Sequence, residues 1–211
     1  MKKRIIVLGA PGAGKGTQAR NLAAHFKVEH ISTGEMLREH VKNNTLVGES
    51  IQYLIDVGKL VPDELVLGLV INKILKGNYV LDGYPRNLRQ AETLHEICEK
   101  LGEPIDGVVL VNVCDDVIIE RISGRLVCPD CGKMFHYIYY PSTKGLDCDA
   151  CDGRLETRKD DKAATVKDRL AVYHETTHPV VEFYRRKCLL QTVDGTGKMS
   201  EITEKIINML E

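Results

Sequence analysis

The sequence predicts an α/β fold in which a mostly parallel β-sheet lies between two layers of helices. Short, continuous apolar runs are typical of strands that are buried on both faces of a sheet. Segments with apolar residues at helical spacing lie between these runs. A chain of 211 residues with 43% hydrophobic residues is also long enough to bury the core of such a domain.

The first predicted strand runs from Ile5 to Leu8 and ends in a glycine-rich turn. The next segment predicts a helix, because its apolar residues from Ala19 to Phe26 recur at positions i, i+3, i+4 and i+7. Later apolar runs predict strands at residues 79–81, 108–113 and 189–193. A second helical stripe is formed by Leu67, Val70, Ile71 and Ile74.

Two segments interrupt this alternation of strands and helices. Residues 31–61 are polar and punctuated by glycine, which predicts short helices, and residues 124–159 contain a cluster of four cysteines. We expect both to be movable insertions in a core made of residues 1–30, 62–123 and 160–211. Neither is expected to be an independent domain, because no Ser/Gly-rich linker separates it from the core.

The charge balance gives no general attraction to a polyanionic partner. Lys and Arg total 29 against 30 Asp and Glu, so the net charge is −1 and we expect no binding to nucleic acid or membrane. No apolar stretch approaches the length of a membrane span, and the four-residue apolar run near the start is too short for a signal peptide. The sequence therefore predicts a cytoplasmic protein that folds as a monomer.

The turn after the first strand, residues 9–17, contains the G-x-x-x-x-G-K core of a P-loop. Its hydroxyl residue, Thr17, stands one position later than the strict motif requires. Glycines let backbone N–H groups turn toward one anion, the following helix adds its positive end, and Lys15 adds a point charge. The alternative is a turn that only packs strand against helix. A GTPase is not favoured, because Asn72-Lys73 lacks the rest of the guanine-binding N-K-x-D motif.

A second polar cluster follows the strand at residues 79–81. Asp82 at the carboxyl end of this strand can hold Mg²⁺ directly or through water, and Arg86 can bind a phosphate with two hydrogen bonds. An ordinary strand-to-helix turn is the alternative, because Asp-Gly is common in turns and Pro85 fits a helix start.

Four of the seven cysteines have the spacing C-x₂-C-x₁₆-C-x₂-C: Cys128, Cys131, Cys148 and Cys151. This spacing is typical of two turns that close a tetrahedral thiolate site, for which Zn²⁺ is the expected ion and iron the lesser possibility. Four thiolates leave no open position, so we expect the metal to fold the segment. Two disulfides or four packed thiols are the alternatives. The remaining cysteines are expected to be core thiols: Cys98, Cys114 and Cys188.

Together with motifs in the rest of the chain, these features resemble the adenylate kinase family. The additional motifs lie, in order, at residues 31–38, 58–61, 124–125, 158–161, 167–170 and 193–196. The resemblance covers nearly the full chain. It implies a three-layer P-loop NTPase fold with a helical insertion at residues 31–61 that binds the nucleoside monophosphate, and a zinc-bearing lid at residues 124–159.

The resemblance also implies reversible phosphoryl transfer from Mg-ATP to AMP, which gives two ADP. The groups expected to bind ATP are Gly12, Ala13, Gly14, Lys15, Gly16, Thr17, Arg125, Phe135, His136 and Gly197. The groups expected to bind AMP, with Gln90 reading adenine, are Thr33, Arg38, Lys59, Leu60, Val61, Gly83, Tyr84, Pro85, Arg86, Gln90, Arg158 and Arg169. Because this reaction spreads negative charge over the moving group, the expected catalytic residues are cations. They are Lys15, Arg86, Arg125, Arg158 and Arg169.

Two positions depart from the family pattern, since Glu35 stands where Asp is usual and Phe135 where many members have Tyr. A kinase of another nucleoside monophosphate, or one with GTP as donor, remains a close alternative. A zinc-ribbon protein that binds nucleic acid is a more distant one, because acidic residues offset the basic residues within 124–159.

Overall fold

The computed structural model describes residues 3–211. Its strands are β1 (Arg4–Leu8), β2 (Glu29–Ser32), β3 (Tyr79–Asp82), β4 (Gly107–Asn112), β5 (Arg125–Val127), β6 (Met134–His136) and β7 (Leu190–Asp194). Five of them form one sheet in the order β2-β3-β1-β4-β7, and every neighbouring pair is parallel. The strands β5 and β6 form a separate antiparallel pair.

The α-helices are α1 (Lys15–Phe26), α2 (Thr33–Lys42), α3 (Leu46–Asp56), α4 (Asp63–Ile74), α5 (Leu88–Lys100), α6 (Asp115–Ser123), α7 (Ala163–Val172), α8 (His178–Arg186) and α9 (Met199–Leu210). A turn of 3₁₀-helix (Lys159–Asp161) precedes α7, and a π-helical turn (Tyr173–Thr177) joins α7 to α8. Within residues 3–211 no helix is long and apolar enough to cross a membrane.

Side chains of β1 alternate between two hydrophobic cores, one on each face of the sheet. Ile6 and Leu8 pack in the core that α4, α5 and α8 cover, whereas Ile5 and Val7 pack in the core of α1, α6, α7 and α9. All four side chains are at most 3% exposed. A strand buried on both faces requires such a continuous apolar run, so the predicted three-layer P-loop fold with a parallel sheet is confirmed.

The predicted strands at residues 5–8, 79–81, 108–113 and 189–193 agree with β1, β3, β4 and β7 to within about one residue at each end. The edge strand β2 was not predicted. Its first two residues, Glu29 and His30, are polar and only partly buried, so the strand has no apolar run that would reveal it. Within residues 3–211 it pairs only with β3, and that tertiary pairing supplies its hydrogen bonds.

The helices α2 and α3 follow β2 and pack against each other. A side-chain cap starts α3, because Thr45 Oγ1 accepts a hydrogen bond of 3.0 Å from the backbone N–H of Gly48. The same hydroxyl donates to the carbonyl of His40 at the end of α2, at 3.2 Å. Short helices were predicted in this part of the chain, and Thr45 fixes the turn between them.

The segment with the β5-β6 pair has only a small apolar core of its own. The buried members of this cluster are Leu126, Cys128, Phe135, Cys148 and Leu155. Isolated β-bridges, including one between Val127 and Glu156, join the remaining backbone to the pair. A cluster of this size supplies little hydrophobic stabilisation, so the segment needs a further cross-link to hold one conformation.

The prediction that three further cysteines are core thiols is correct only for Cys98, which is 2% exposed. It is wrong for Cys114 and Cys188, which are both exposed. Cys114 is the N-cap of α6, and Cys188 lies in the turn after α8 with φ of 56°. Both cysteines occupy connections, where neighbouring apolar residues do not imply burial.

Candidate functional site

The loops after the five parallel strands meet at one edge of the sheet, and two adjoining cavities lie there. The larger cavity, of about 770 Å³, lies against the P-loop, the β5-β6 segment and the turn after β7. The smaller cavity, of about 140 Å³, lies among α2, residues 58–61, the turn after β3 and α7. Four basic residues line both cavities: Lys15, Arg38, Arg86 and Arg169. We call these four residues the cationic junction.

The P-loop has the backbone geometry that its glycines predict. Gly9, Gly12 and Gly14 have φ values of 149°, 82° and 95°, which side-chain-bearing residues rarely adopt. A Cβ atom at Gly9 would also lie 2.6 Å from the carbonyl oxygen of Val111 on the neighbouring strand. Helix α1 begins directly after Gly14, so its N-terminus faces the larger cavity through the loop.

Lys15 is the first residue of α1 and its side chain is desolvated. Burial lowers the pKa of Lys15 to about 8; Asp82 opposes this shift, and Arg86 adds to it. The ammonium group donates a hydrogen bond of 2.8 Å to the carbonyl of Ala10 within the loop. A phosphate group beside Lys15 would restore its charge, because an anion favours the protonated form of the amine.

Two other members of the cationic junction, Arg38 and Arg86, form no ion pair within residues 3–211, whereas Arg169 is paired with Asp160. Burial is the main cause that lowers the pKa of Arg38, Arg86 and Arg169. Arg86 lies near Arg169 and Arg38, and it donates from Nε to the carbonyl oxygen of Gly83 at 2.8 Å. Desolvated cations that repel one another form a binding site for a multiply charged anion.

Two carboxylates hold arginines at the edge of the junction. Arg125 forms a two-pronged ion pair with Asp161, and Arg169 Nη1 lies 2.9 Å from Asp160 Oδ2. Burial raises the pKa of Asp160, but Arg169 and neighbouring arginines outweigh it and hold that pKa below its usual value. Sequence reasoning assigned no role to either aspartate, although both follow Arg158 within one quoted motif.

Arg158 has no carboxylate partner among the described residues. Its Nη2 lies 3.2 Å from the sulfur of Met134, and its buried Nε has no hydrogen-bond partner. Burial is the largest cause that lowers its pKa, and the charges of Arg38 and Arg125 add to it. Arg158 is therefore a desolvated cation without a carboxylate partner, and it lines the larger cavity, where an anion would offset its charge.

Asp82, the last residue of β3, is a buried carboxylate at the larger cavity. Ser32 Oγ donates to Asp82 Oδ2 at 3.3 Å, and a Cβ atom at Gly16 would lie 3.2 Å from the same oxygen. The carboxylate is thus packed against the start of α1. An oxygen ligand in this position fits Mg²⁺, which needs few protein ligands when phosphates and water complete its shell.

His136 lies in β6 at the other side of the larger cavity. Its Nδ1 accepts hydrogen bonds from the backbone N–H groups of Ile138 and Tyr139, at 3.0 and 3.2 Å. Nδ1 therefore carries no proton, and in the neutral ring the proton is on Nε2. Burial lowers the pKa of His136, which favours this neutral form. Nε2 is a buried atom, and a Cβ atom at Gly124 would lie 2.5 Å from it, so it packs against the backbone of that glycine.

The expected ATP-binding groups all line the larger cavity: Gly12, Ala13, Gly14, Lys15, Gly16, Thr17, Arg125, Phe135, His136 and Gly197. Most of the expected AMP-binding groups line the smaller cavity: Thr33, Arg38, Lys59, Leu60, Val61, Gly83, Pro85, Arg86, Gln90 and Arg169. Two do not. The side chain of Tyr84 is buried in the hydrophobic core, and Arg158 lines the larger cavity.

Several residues of the two cavities were missed by sequence reasoning. Arg121, Tyr139 and Lys198 line the larger cavity, and Thr177 lines the smaller one. Arg121 lies one helical turn before Gly124, so the quoted motif could have been extended to it. Thr177 donates from Oγ1 to the carbonyl of Arg86 at 2.7 Å, a contact between residues 91 positions apart that no local pattern reveals.

The four clustered cysteines form a candidate metal site. Their sulfur atoms all lie within 4.8 Å of one another. The Cys128–Cys151 and Cys131–Cys148 sulfur pairs are 3.4 and 3.6 Å apart, and all four thiols are free. Sulfurs bound at 2.3 Å to one tetrahedral ion would be about 3.8 Å apart, so the spacing fits a metal ion.

The two cysteine turns have matching backbone hydrogen bonds. In the first, the N–H of Cys128 donates to the carbonyl of Lys133 at 2.9 Å. In the second, the N–H of Cys148 donates to the carbonyl of Gly153, also at 2.9 Å. Outside the turns, Lys42 at the end of α2 donates from Nζ to the carbonyl of Pro129 at 2.7 Å. The cysteine site thus contacts the helix that borders the smaller cavity.

The known proteins to which this chain is similar share one family name. The family model described as "Adenylate kinase" matches residues 7–189. Proteins named adenylate kinase from Caldicellulosiruptor saccharolyticus and Lachnospira eligens are each 46% identical to the chain over 211 residues. The matches cover 98% of this chain and 98% and 99% of those proteins. One from Methanothrix thermoacetophila is 41% identical over 210 residues and covers 98% of this chain and 97% of its own. The chain therefore belongs to the adenylate kinase family.

Proposed function

We propose that the chain uses its two adjoining cavities to transfer the terminal phosphoryl group of Mg-ATP to AMP, reversibly, giving two ADP. The observation that carries this proposal is the cationic junction, because the same four basic residues border both cavities. An enzyme that moves a phosphoryl group between two nucleotides needs positive charge where their phosphates meet. A nucleotide hydrolase would need only one such cavity.

The proposed donor site is the larger cavity. Residues 12–17 would bind the ATP phosphates through the P-loop, with Lys15 at the β and γ groups. Phe135, His136 and Gly197 would lie beside the nucleoside. The position of Phe135 and His136 in the wall of the larger cavity supports this. When Mg²⁺ is bound with ATP it neutralises phosphate charge, and Asp82 would hold it, in our proposal through water.

The proposed acceptor site is the smaller cavity. The side chains of Thr33, Arg38 and Gln90 and the backbone of residues 59–61 and 83–85 would surround AMP, with Gln90 at the adenine edge. Thr33 donates from Oγ1 to the carbonyl of Gly83 at 2.8 Å, so the two walls of this cavity already hold each other in place. This hydrogen bond supports a preformed acceptor site.

The proposed catalytic groups are Lys15, Arg86, Arg125, Arg158 and Arg169. None of them needs to move a proton, because phosphoryl transfer spreads negative charge over the oxygens of the moving group. Their task is to stabilise that charge in a site without bulk water. The ion pairs of Arg125 with Asp161 and of Arg169 with Asp160 support this role, because they fix each guanidinium in place before the nucleotides bind.

We further propose that residues 31–61 form the AMP-binding insertion, residues 124–159 the lid, and residues 1–30, 62–123 and 160–211 the core. The metal of the lid is proposed to be Zn²⁺ in a structural role, because four thiolates complete its shell and leave no position for a substrate. The balanced charge of the chain supports a protein that binds no nucleic acid, and its free cysteines suit a reducing cytoplasm. We also propose that the chain is a monomer.

The choice of acceptor is tested by a coupled assay of ADP formation. With ATP as donor, AMP is expected to have a kcat/KM at least about 100-fold above that of UMP, CMP or GMP. The same assay with GTP as donor tests the larger cavity. Equal activity with UMP or CMP would contradict the assignment of AMP, and turnover without any acceptor would indicate a hydrolase.

Occupation of both cavities is tested with two adenosines joined by five phosphates. This molecule is expected to bind at least about 100-fold more tightly than ATP, because one ligand spans both sites and loses its translational freedom once. Calorimetric titration measures the affinities. The matched control is the same molecule after AMP saturates the acceptor site, where the gain should disappear. An affinity no better than that of ATP would show that the chain holds a single nucleotide.

A further inference from the structure

Gln90 is held in a single orientation by two groups of opposite hydrogen-bonding character. Its Oε1 accepts from the backbone N–H of Arg86 at 2.7 Å. Its Nε2 donates to Oδ1 of Asp63, the first residue of α4, also at 2.7 Å. The Gln90 side chain is 3% exposed, so water does not compete for these bonds.

Neither partner tolerates a reversed amide. A backbone N–H only donates, and an ionised carboxylate only accepts. Rotating the Gln90 amide by 180° would direct its NH₂ group at the N–H of Arg86 and its oxygen at the carboxylate of Asp63. Two hydrogen bonds would be replaced by two repulsive contacts inside a buried site, which is costly.

Each end of the locked amide keeps one unused hydrogen-bonding position. An amide oxygen has two lone pairs and an NH₂ group has two hydrogens, and the bonds to Arg86 and Asp63 use one of each. Gln90 also lines the smaller cavity. It therefore offers a ligand in that cavity one acceptor and one donor, side by side and in a fixed order.

We infer that Asp63 determines base specificity at the acceptor site by fixing the amide of Gln90 in the order that matches adenine. The inference rests on the proposed function, in which the base of AMP lies against Gln90. Adenine presents a donor, its 6-amino group, beside an acceptor, N1. Hypoxanthine and guanine present the reverse, an acceptor at O6 beside a donor at N1. Asp63 contacts no nucleotide in this account, so it is a positioning residue.

Asp63 also has a structural contact, which any test must separate from this role. The same Oδ1 accepts from Nδ2 of Asn87 at 2.9 Å. Asn87 is the N-cap of α5, and its own Oδ1 accepts from the N–H of Gln90 at 2.8 Å. The variant Asn87→Ser removes the contact with Asp63 but keeps a good N-cap residue. It serves as the matched control.

The test is steady-state kinetics of Asp63→Asn with AMP and with IMP, the monophosphate of hypoxanthine, as acceptors at saturating ATP. An asparagine can turn either its oxygen or its NH₂ group toward Gln90, so it accepts both orientations of the amide and leaves only the backbone N–H of Arg86 to favour one of them. We expect KM for AMP to rise about tenfold, kcat to change less than about threefold, and the AMP-to-IMP ratio of kcat/KM to fall about tenfold. Asn87→Ser should keep the ratio of the parent chain.

A double-mutant cycle with Gln90→Met tests whether Asp63 acts through Gln90. In the Gln90→Met background, Asp63→Asn should leave the AMP-to-IMP ratio unchanged, because no amide remains to be oriented. A ratio in the Asp63→Asn single variant within about twofold of the parent would overturn the inference, as would an equal fall in the Gln90→Met background. If Asp63→Asn does not fold, Asp63→Ser gives the same test, because a hydroxyl both donates and accepts. Failure of the parent chain to phosphorylate AMP would instead reject the proposed function.

Discussion

Lys15→Met is expected to lower kcat for ADP formation by about 10³-fold or more and to leave the fold intact. The ammonium group lies within the P-loop and at the cationic junction, where the transferred phosphoryl group would carry its negative charge. Methionine keeps the length and apolar stem of lysine but removes that charge. The loss should therefore be in the chemical step and in ATP affinity.

Stability should behave differently from activity in this variant. Burial lowers the pKa of Lys15 to about 8, below its ordinary value of 10.5. The folded state therefore disfavours the charged amine, and this unfavourable contribution is full below pH 8 and disappears as the pH rises to 10.5. At pH 7, Lys15→Met should unfold at the same temperature as the parent chain or at a higher one.

The measurements are the coupled assay and thermal unfolding followed by circular dichroism. The matched control is Lys76→Met, at an exposed position just beyond α4, which should change neither quantity. A Lys15→Met enzyme with turnover within about tenfold of the parent would reject the P-loop as the donor site. A variant that loses activity only because it unfolds would contradict the stability argument.

Removal of the metal proposed for the cysteine site of the lid is the second large effect that we expect. Binding of structural zinc contributes about 10 to 16 kcal/mol in small zinc modules, whereas the apolar cluster of the proposed lid has only five members. The two cores that cover the parallel sheet do not depend on the metal. We therefore expect chelation to melt residues 124–159 locally while the rest of the chain remains folded.

Loss of the lid should reduce activity more than AMP binding. Arg125 and Phe135 line the larger cavity from this segment, so donor binding and catalysis lose contacts directly. The smaller cavity keeps its own walls, although the hydrogen bond from Lys42 to the carbonyl of Pro129 would be lost. We expect kcat to fall about 100-fold or more and the AMP dissociation constant to change only a few-fold.

Two ligand variants make this prediction sharper. Cys128→Ala should be severe, because Cys128 is fully buried in the lid cluster and its loss removes both a ligand and core packing. Cys151→Asp should be the mildest change of the four, because Cys151 is exposed and a carboxylate can bind Zn²⁺. Exposed Cys188→Ala is the control that should retain metal and activity.

Two measurements test the structural metal: metal content by mass spectrometry, and hydrogen exchange of residues 124–159. Each is made with and without chelator. One zinc per chain and faster exchange confined to this segment are the expected results. Iron in place of zinc would correct the identity of the ion. A purified, reduced chain without stoichiometric metal, whose lid exchange does not respond to chelator, would reject the structural metal altogether.

The amino-acid sequence by itself determined the fold class, the P-loop and the cysteine pairs, because each depends on residues that are close in the chain. A buried strand needs a continuous apolar run, and a phosphate loop needs glycines directly before a lysine. Two cysteines separated by two residues occupy one turn and face one ion. The order of these motifs along the chain was sufficient to indicate the family, which the comparisons confirmed.

Only the tertiary structure decided which groups meet. Strand β2 forms through its pairing with β3, and whether a cysteine is buried depends on the elements packed over it, which is why Cys114 and Cys188 were misjudged. The cationic junction draws its residues from four separate elements of the chain. The contact between Asp63 and Gln90 spans 27 positions. Such contacts carry no local signature, because strand pairing and helix packing create them after the local elements have formed.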